Sequence, residues 1–366
     1  MPRIGFVIDS RLPGWGAAFR GECPPWAPLT GWNTHSAVAE MRFGWIARHV
    51  NRSGSLKYEL WRPGVRHDAV VFLKSMGSGC ARLGRRLRGD DTRIVFDANV
   101  DYLTPADGVI HAPHLLPSAA QRAEAIEMTR LADAIIADSP HLESVWAAHH
   151  SAVRWIPDNV EFDLVPPRRA WHPPRHSKLD LLWSGEAMKL YDLCRIDEAL
   201  VRRAGALRLH LITGDLRALE RWTPEARARF ERLLARVEHR IEPFRGIRPL
   251  LARYAEGGVL VSPRFLENTY NAGHTEWKLA LGMACGRVAL GESLSSYRAV
   301  ADRAEGRGIR ICASAGDWEA ALDAVLDHSF DWDSEEEAAR AVVERHYSAA
   351  VVAEGHSLWV REILSA

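Results

Sequence analysis

A chain of 366 residues exceeds one typical hydrophobic core and suits two domains. Its 47% apolar and 26% charged residues are those of an ordinary globular protein, and 47 basic against 47 acidic side chains leave no net charge, which argues against broad binding of nucleic acid or anionic membranes. Five scattered cysteines (Cys23, Cys80, Cys194, Cys285 and Cys312) show no CxxC spacing, which fits a reducing compartment and no structural zinc.

The opening MPRIGFVID reads as a buried strand over residues 3–9 rather than a signal peptide. No apolar run approaches the roughly 18 residues of a membrane span, so the expected location is cytoplasmic. A Gly/Pro/Trp-rich loop over residues 11–32 is longer than compact connections usually are, which marks it as functional or mobile. Asn33 or Thr34 then caps a helix whose apolar face uses Val38, Met41, Ile46 and Val50. The amides at its start suit an anion or an ordinary cap equally.

Residues 69–73 form a second strand that delivers Lys74-Ser75-Met76-Gly77 to the same edge. Arg82, Arg85, Arg86 and Arg88 follow on what reads as a solvated helix face. Residues 93–97 are a third strand, ending at Asp97, Asn99 and Asp101, and residues 108–111 a candidate short segment with His111 and His114 after it. Residues 120–132 are helical. Residues 134–137 form a strand ending in Asp138-Ser139-Pro140, whose Ser-Pro pair caps a helix through Trp146. Residues 153–157 close this half.

Prolines then accumulate (Pro157, Pro166, Pro167, Pro173, Pro174), as in an interdomain linker. The rhythm restarts with a strand at 179–183, a loop carrying Gly185, Glu186, Lys189 and Asp192, and a strand at 207–212 closed by Thr213-Gly214-Asp215. A charged helix spans 224–237, a short strand 241–244 and a helix 247–254. The most informative unit follows: Gly258-Val259-Leu260-Val261 ending at Ser262-Pro263, a polar loop from Glu267 to His274, a small-residue helix stopped by Gly286, and the strand Val288-Ala289-Leu290. Residues 308–312 are a late strand, and helices at 317–326 and 335–363 end the chain. Strands alternating with helices in both halves predict an α/β protein of two doubly wound, Rossmann-like domains whose carboxyl edges face across a cleft. The expected bounds are 1–160, a linker over 161–177, 178–345, and a carboxyl-terminal helix over 346–366 that can cross back to the first domain. No GxGxxG follows the first strand, which disfavours a dinucleotide dehydrogenase.

Three passages carry a family resemblance. Ile135-Ile136-Ala137-Asp138-Ser139 with Val153-Arg154-Trp155-Ile156-Pro157-Asp158-Asn159-Val160 resembles the passage that closes the first domain of GT-B glycosyltransferases. Leu181-Leu182-Trp183-Ser184-Gly185 with Lys189 and Ala199-Leu200 is similar to their second-domain opening. Val259-Leu260-Val261-Ser262-Pro263 with Met283-Ala284-Cys285-Gly286-Arg287-Val288-Ala289 resembles their "hLxPS … EAMACGxPVh" signature. The best match is the broad, mostly retaining type known as family 4, or glycosyl transferases group 1, which includes sucrose synthases and bacterial polysaccharide enzymes. That family often carries two glutamates here. In this chain the inner position falls on Leu281 and the outer near Gly273.

The resemblance implies a nucleotide-sugar donor bound by the second domain, with no further cofactor and no metal. Lys278 is a mobile cation for the diphosphate, and Lys189 after the Gly185 turn is a second clamp. Glu186 stands where an arginine is expected, so a further charge would come from Arg195 or Arg264. Asn268, Asn271 and Thr275 can hold ribose and phosphates, Gly214 borders the donor, and Glu267 accepts from sugar hydroxyls or forms a surface ion pair. On the acceptor side stand Asp9, Trp15, His35, Lys74 and Asn99. For an inverting reaction the bases, in order, are Asp101, Asp9 and His114. For the retaining reaction that the resemblance implies, the leaving phosphate takes the proton. Partners are the donor and a saccharide, lipid-linked or small-molecule acceptor, and no nucleic acid. Peripheral contact with the inner membrane stays open, although no strongly basic amphipathic helix is present. A nucleotide-sugar epimerase, a polyol-phosphate transferase and a non-catalytic binding module are the alternatives.

Overall fold

The computed structural model describes residues 1–8, 37–104, 112, 116–173, 177–267 and 269–366. The chain divides into two compact units, one made of Met1–Ala106, Leu116–Glu161 and Ser348–Ala366, the other of Asp107–Leu115 and Phe162–Tyr347.

The first unit is built on a parallel sheet of β1 (Arg3–Ile8), β2 (Lys57–Leu60), β3 (Ala69–Leu73), β4 (Arg93–Ala98), β5 (Ala134–Ala137) and β6 (Val153–Trp155) in the order β2-β1-β3-β4-β5-β6. Its central strands are apolar almost without interruption because both faces are covered. On one face Phe6, Val71, Val95 and Ile136 pack with Ile46, Val50 and Val360. On the other Val7, Phe72, Phe96 and Ile135 pack with Leu83, Met128 and Trp146. Strand β2 had no counterpart in the sequence reading. It is a short edge strand of mixed polarity, KYEL, and its pairing with β1 (Gly5↔Glu59, Phe6↔Leu60) supplies what its own pattern lacks.

The last helical stretch, expected to be continuous, is two helices, Trp332–Tyr347 and Ala349–Ser365. Ser348 leaves helical conformation (φ −65°, ψ 147°) to bridge Val160, and the Ala349 amide donates to the Val160 carbonyl at 2.8 Å. Tertiary pairing overrides helix propensity there. The final helix belongs to the first unit, packing on the helix Ile46–Ser53, with Tyr58 Oη 2.8 Å from Nδ1 of the buried His356.

The second unit repeats the plan with β7 (Leu179–Gly185), β8 (Leu207–Thr213), β9 (His239–Pro243), β10 (Val259–Ser262), β11 (Ala289–Glu292) and β12 (Ile309–Cys312), all parallel, in the order β12-β11-β10-β7-β8-β9. Read from β9, this is the 3-2-1-4-5-6 order of a dinucleotide-type sheet, and its strand order reverses between β7 and β10. The helix Trp277–Ala284 lies close on the sheet at Gly282, where a Cβ would stand 2.4–2.9 Å from three side-chain carbons of Leu260. That spacing explains why the small residues of this helix are small.

Candidate functional site

Open α/β sheets bind ligands beyond the carboxyl ends of the strands that flank the reversal. Here those ends are Gly185 on β7 and Ser262 on β10, and the segments that follow them are the ones the sequence singles out.

The strand ends are fastened first. Thr213 Oγ1 donates to the Gly185 carbonyl at 2.7 Å, Tyr254 Oη to Ser184 Oγ at 2.6 Å, and Ser262 Oγ lies 2.7 Å from Tyr297 Oη. At the end of β11 the buried Glu292 accepts from Trp318 Nε1 at 3.2 Å and from the Arg264 amide at 3.4 Å, with Arg195 Nε at 3.6 Å. Burial raises its pKa.

The second fastening is ionic. Asp192, on the 3-10 segment Ala187–Ile196, receives Arg264 Nη1 at 2.8 Å and Asn271 Nδ2 at 3.1 Å, and Asn271 Nδ2 also donates to the Phe265 carbonyl at 2.9 Å. All three residues are buried. Arg264 and Asn271 therefore tie the loop after β10 to the segment after β7. Tyr191 stacks on Phe265 at 5.3 Å in the same contact. Asp192 links elements 72 residues apart, which spacing in the sequence does not reveal.

Two lysines stand on this frame. Lys189 is half-buried, with Nζ 5.4 Å from the Tyr270 ring centroid. Lys278, in the first turn of the helix Trp277–Ala284, has a part-exposed stem, but its ammonium is enclosed and has no hydrogen-bond partner among the described residues. Nζ sits 4.8 Å from the Trp183 ring centroid and against Gly185, where a Cβ would come within 2.4 Å of it. Only glycine leaves room for that approach. Burial, then Arg264, then Lys189 push the Lys278 pKa well below the ordinary lysine value, against Asp192 and Glu186. The site is an edge where basic side chains converge, and among the described residues the amine of Lys278 has no hydrogen-bond partner.

Gly185, Lys189, Lys278, Arg264 and Asn271 thus come together in one region, and Thr275 stands two residues before the helix that carries Lys278. Gly214 is exposed at the end of β8 and Glu267 is exposed on the loop after β10, while Asn268 lies outside the described residues. Trp183, Asp192, Tyr270 and Glu292 are parts of the site that were not among the predicted site residues.

At the corresponding edge of the first unit, Asp101 is buried. Its Oδ1 accepts from the Leu103 and Thr104 amides at 3.0 and 2.9 Å, and Oδ2 lies 3.6 Å from His141 Nε2. Burial acts to raise its pKa, but His141 and these amides prevail and hold it below the ordinary value. A carboxylate stabilised in this way is a weak base, and His141 stands beside it at a distance longer than a hydrogen bond. Lys74 is exposed with a left-handed backbone (φ 49°), and the enclosed Asn99 Oδ1 has no hydrogen-bond partner among the described residues. Beneath them Arg42, within a π-helical turn Glu40–Trp45, is buried with Asp97 at 3.0 Å and Asp158 at 2.9 Å. Asp9, Trp15, His35, His111 and His114, and the candidate segment at 108–111, lie outside the described residues.

No family model and no curated protein sequence matches this chain. Solved structures do. HepE of Anabaena, solved with UDP and glucose, superposes with a TM-score of 0.62 at 9% identity, covering 99% of each chain. A glycosyltransferase of Rickettsia africae gives 0.63 at 11% identity over 99% of this chain and 98% of that one. The lipopolysaccharide outer core galactosyltransferase WaaB gives 0.63 at 12% over 98% and 99%. The chain has the GT-B fold. The switch-point site belongs to the second unit. No helix among the described residues is long and apolar enough to cross a membrane.

Proposed function

We propose that this protein is a glycosyltransferase that moves a sugar from a nucleoside-diphosphate sugar to an acceptor hydroxyl, with the diphosphate received at the β7–β10 reversal. The observation that carries this reading is the enclosed ammonium of Lys278, which has no hydrogen-bond partner among the described residues and lies beside Lys189 and Arg264. An enclosed amine with no hydrogen-bond partner is costly to keep charged, and an arriving anion removes that cost. HepE, whose fold this chain shares, is solved with UDP and glucose.

In the proposed reaction the bond from the sugar's anomeric carbon to the phosphate oxygen breaks, and a bond to the acceptor oxygen forms. Negative charge grows on the departing diphosphate, where Lys278 and Lys189 neutralise it, taking the part a divalent cation plays elsewhere. We assign retention, with the leaving phosphate accepting the acceptor's hydroxyl proton. The first unit supplies the acceptor side, where Lys74, Asn99 and the Asp101–His141 pair bind a saccharide, lipid-linked or small-molecule hydroxyl compound.

The test is incubation of the protein with UDP-, GDP-, TDP- and CMP-sugars and candidate acceptors, following nucleotide release and glycosylated product. Release with product supports the reading. Release without product points to hydrolysis or epimerisation, and a thermal shift by one nucleotide without turnover to a binding module.

A further inference from the structure

Lys278 also bears on how the site takes its ligand, and the argument rests on the donor reading above. Among the described residues, groups from three elements act on its ammonium. From β7 come the face of Trp183 and the bare Cα of Gly185. From the segment after β7 come Glu186, Lys189 and Asp192, and from the loop after β10 comes Arg264. The Trp183 face favours a charge on Nζ. Asp192 is the near carboxylate, but both of its oxygens are engaged, one by Arg264 and the other by Asn271. Glu186 is exposed and so screened by water. Against these stand two cations and the enclosure of Nζ itself, which make no hydrogen bond available to it among the described residues. A group placed this way sheds its proton rather than hold an unpaired charge. A diphosphate reverses the balance, because it brings to Nζ the acceptor oxygens and negative charge that the empty site lacks.

We propose that binding of the donor diphosphate is coupled to the uptake of a proton by Lys278, so that the site receives an anion and a proton together. The proton comes from solvent when the donor binds and returns to it when the nucleoside diphosphate leaves, so the cycle balances. The coupling also discriminates. A nucleoside without phosphates offers nothing to hold the proton and gains nothing from Lys278, whereas a diphosphate gains a cation that was not there before. Affinity for the donor should fall about tenfold per pH unit as the pH rises through the window between the free and bound pKa values, and be flat on either side.

The test is isothermal titration calorimetry of the full chain with UDP-glucose, whose diphosphate has no group that titrates near neutral pH. Parallel runs in HEPES and in Tris at one pH report protons exchanged from the dependence of the observed heat on buffer ionisation enthalpy. Wild type should take up about one proton per UDP-glucose within the window. Lys278→Arg, whose guanidinium keeps its charge, should bind with no uptake, and Lys189→Met should bind more weakly with uptake retained. If Lys278→Arg does not fold, the pH dependence of wild-type affinity decides. UDP-glucose binding without proton exchange at any pH between about 6 and 9 would overturn the coupling and leave the donor site standing. Uptake that persists in Lys278→Arg would also overturn it. Failure of UDP-glucose, GDP-mannose, TDP-glucose and inorganic pyrophosphate all to bind would overturn both the coupling and the donor reading.

Discussion

Lys278→Met separates stability from function at the proposed donor site. Methionine keeps the apolar stem against Trp183 and removes only the ammonium. Leaving an enclosed polar group without a hydrogen bond costs about 1–3 kcal/mol, and an amine that is uncharged in the empty site has no cation–π contact with Trp183 to lose. The ligand-free variant should therefore be more stable than wild type by about 1–3 kcal/mol. For a unit of this size that is a rise of about 2–12 °C in melting temperature. The pH dependence follows from the sign of the shift. Lys278 has a folded pKa below its unfolded one, so the unfolded chain binds the proton more tightly and the penalty is greatest at low pH. It fades as the pH rises from the folded pKa towards the unfolded value of about 10.4, and the advantage of methionine should fade with it. The assay is differential scanning calorimetry of the ligand-free proteins at several pH values, paired with UDP titration, in which Lys278→Met should lose at least about tenfold in affinity. A methionine variant that melts lower than wild type and binds UDP as well would refute the reasoning.

Gly185→Ala places a Cβ 2.4 Å from Lys278 Nζ and 3.0 Å from Trp183; it should displace the ammonium and weaken UDP binding about tenfold or more, at a stability cost of about 1–2 kcal/mol measured by melting. Asp192→Ala strands the buried Arg264 beside two lysines and should destabilise the second unit by about 3–5 kcal/mol, seen as an early transition in calorimetry. Gly282→Ala crowds Leu260 and should lower stability by about 1–3 kcal/mol although alanine is the better helix former, and a melting curve at or above wild type would show that Leu260 simply moves aside. In the first unit His356 is pushed down to about 3, chiefly by burial and secondarily by Arg42. The unfolded chain binds its proton more tightly, so the stability tied to neutral His356 is present above about pH 6.5 and is lost as the pH falls from there towards 3. His356→Gln should flatten that part of the curve of denaturation midpoint against pH.

Much of the architecture was legible because it is written in local pattern. Ala69–Leu73, Ala134–Ala137 and Val259–Ser262 are short apolar runs closed by polar or proline residues, and each is a strand within a residue of its expected bounds. What escaped the reading depends on distant parts of the chain. The polar edge strand Lys57–Leu60 exists through its pairing with β1, and the break at Ser348 through its bridge to Val160. The site divides along the same line. Lys278, Lys189 and Gly185 stand out by type and position, a glycine at a strand end and lysines near a helix start. Asp192 governs how Arg264 and Asn271 are held, yet as one more acid in a polar loop it has no signal of its own. Nor does the sequence say that Asp101 is committed to two amides and stands beside His141, since that follows from a turn and from the helix after the neighbouring strand.

The most direct measurement is a crystal structure of the protein with UDP. The diphosphate should lie at the β7–β10 reversal with Lys278 Nζ within hydrogen-bond distance of a phosphate oxygen and Lys189 turned towards it. A nucleotide bound elsewhere, or bound at that edge with Lys278 still enclosed against Gly185 and touching no phosphate, would contradict the account.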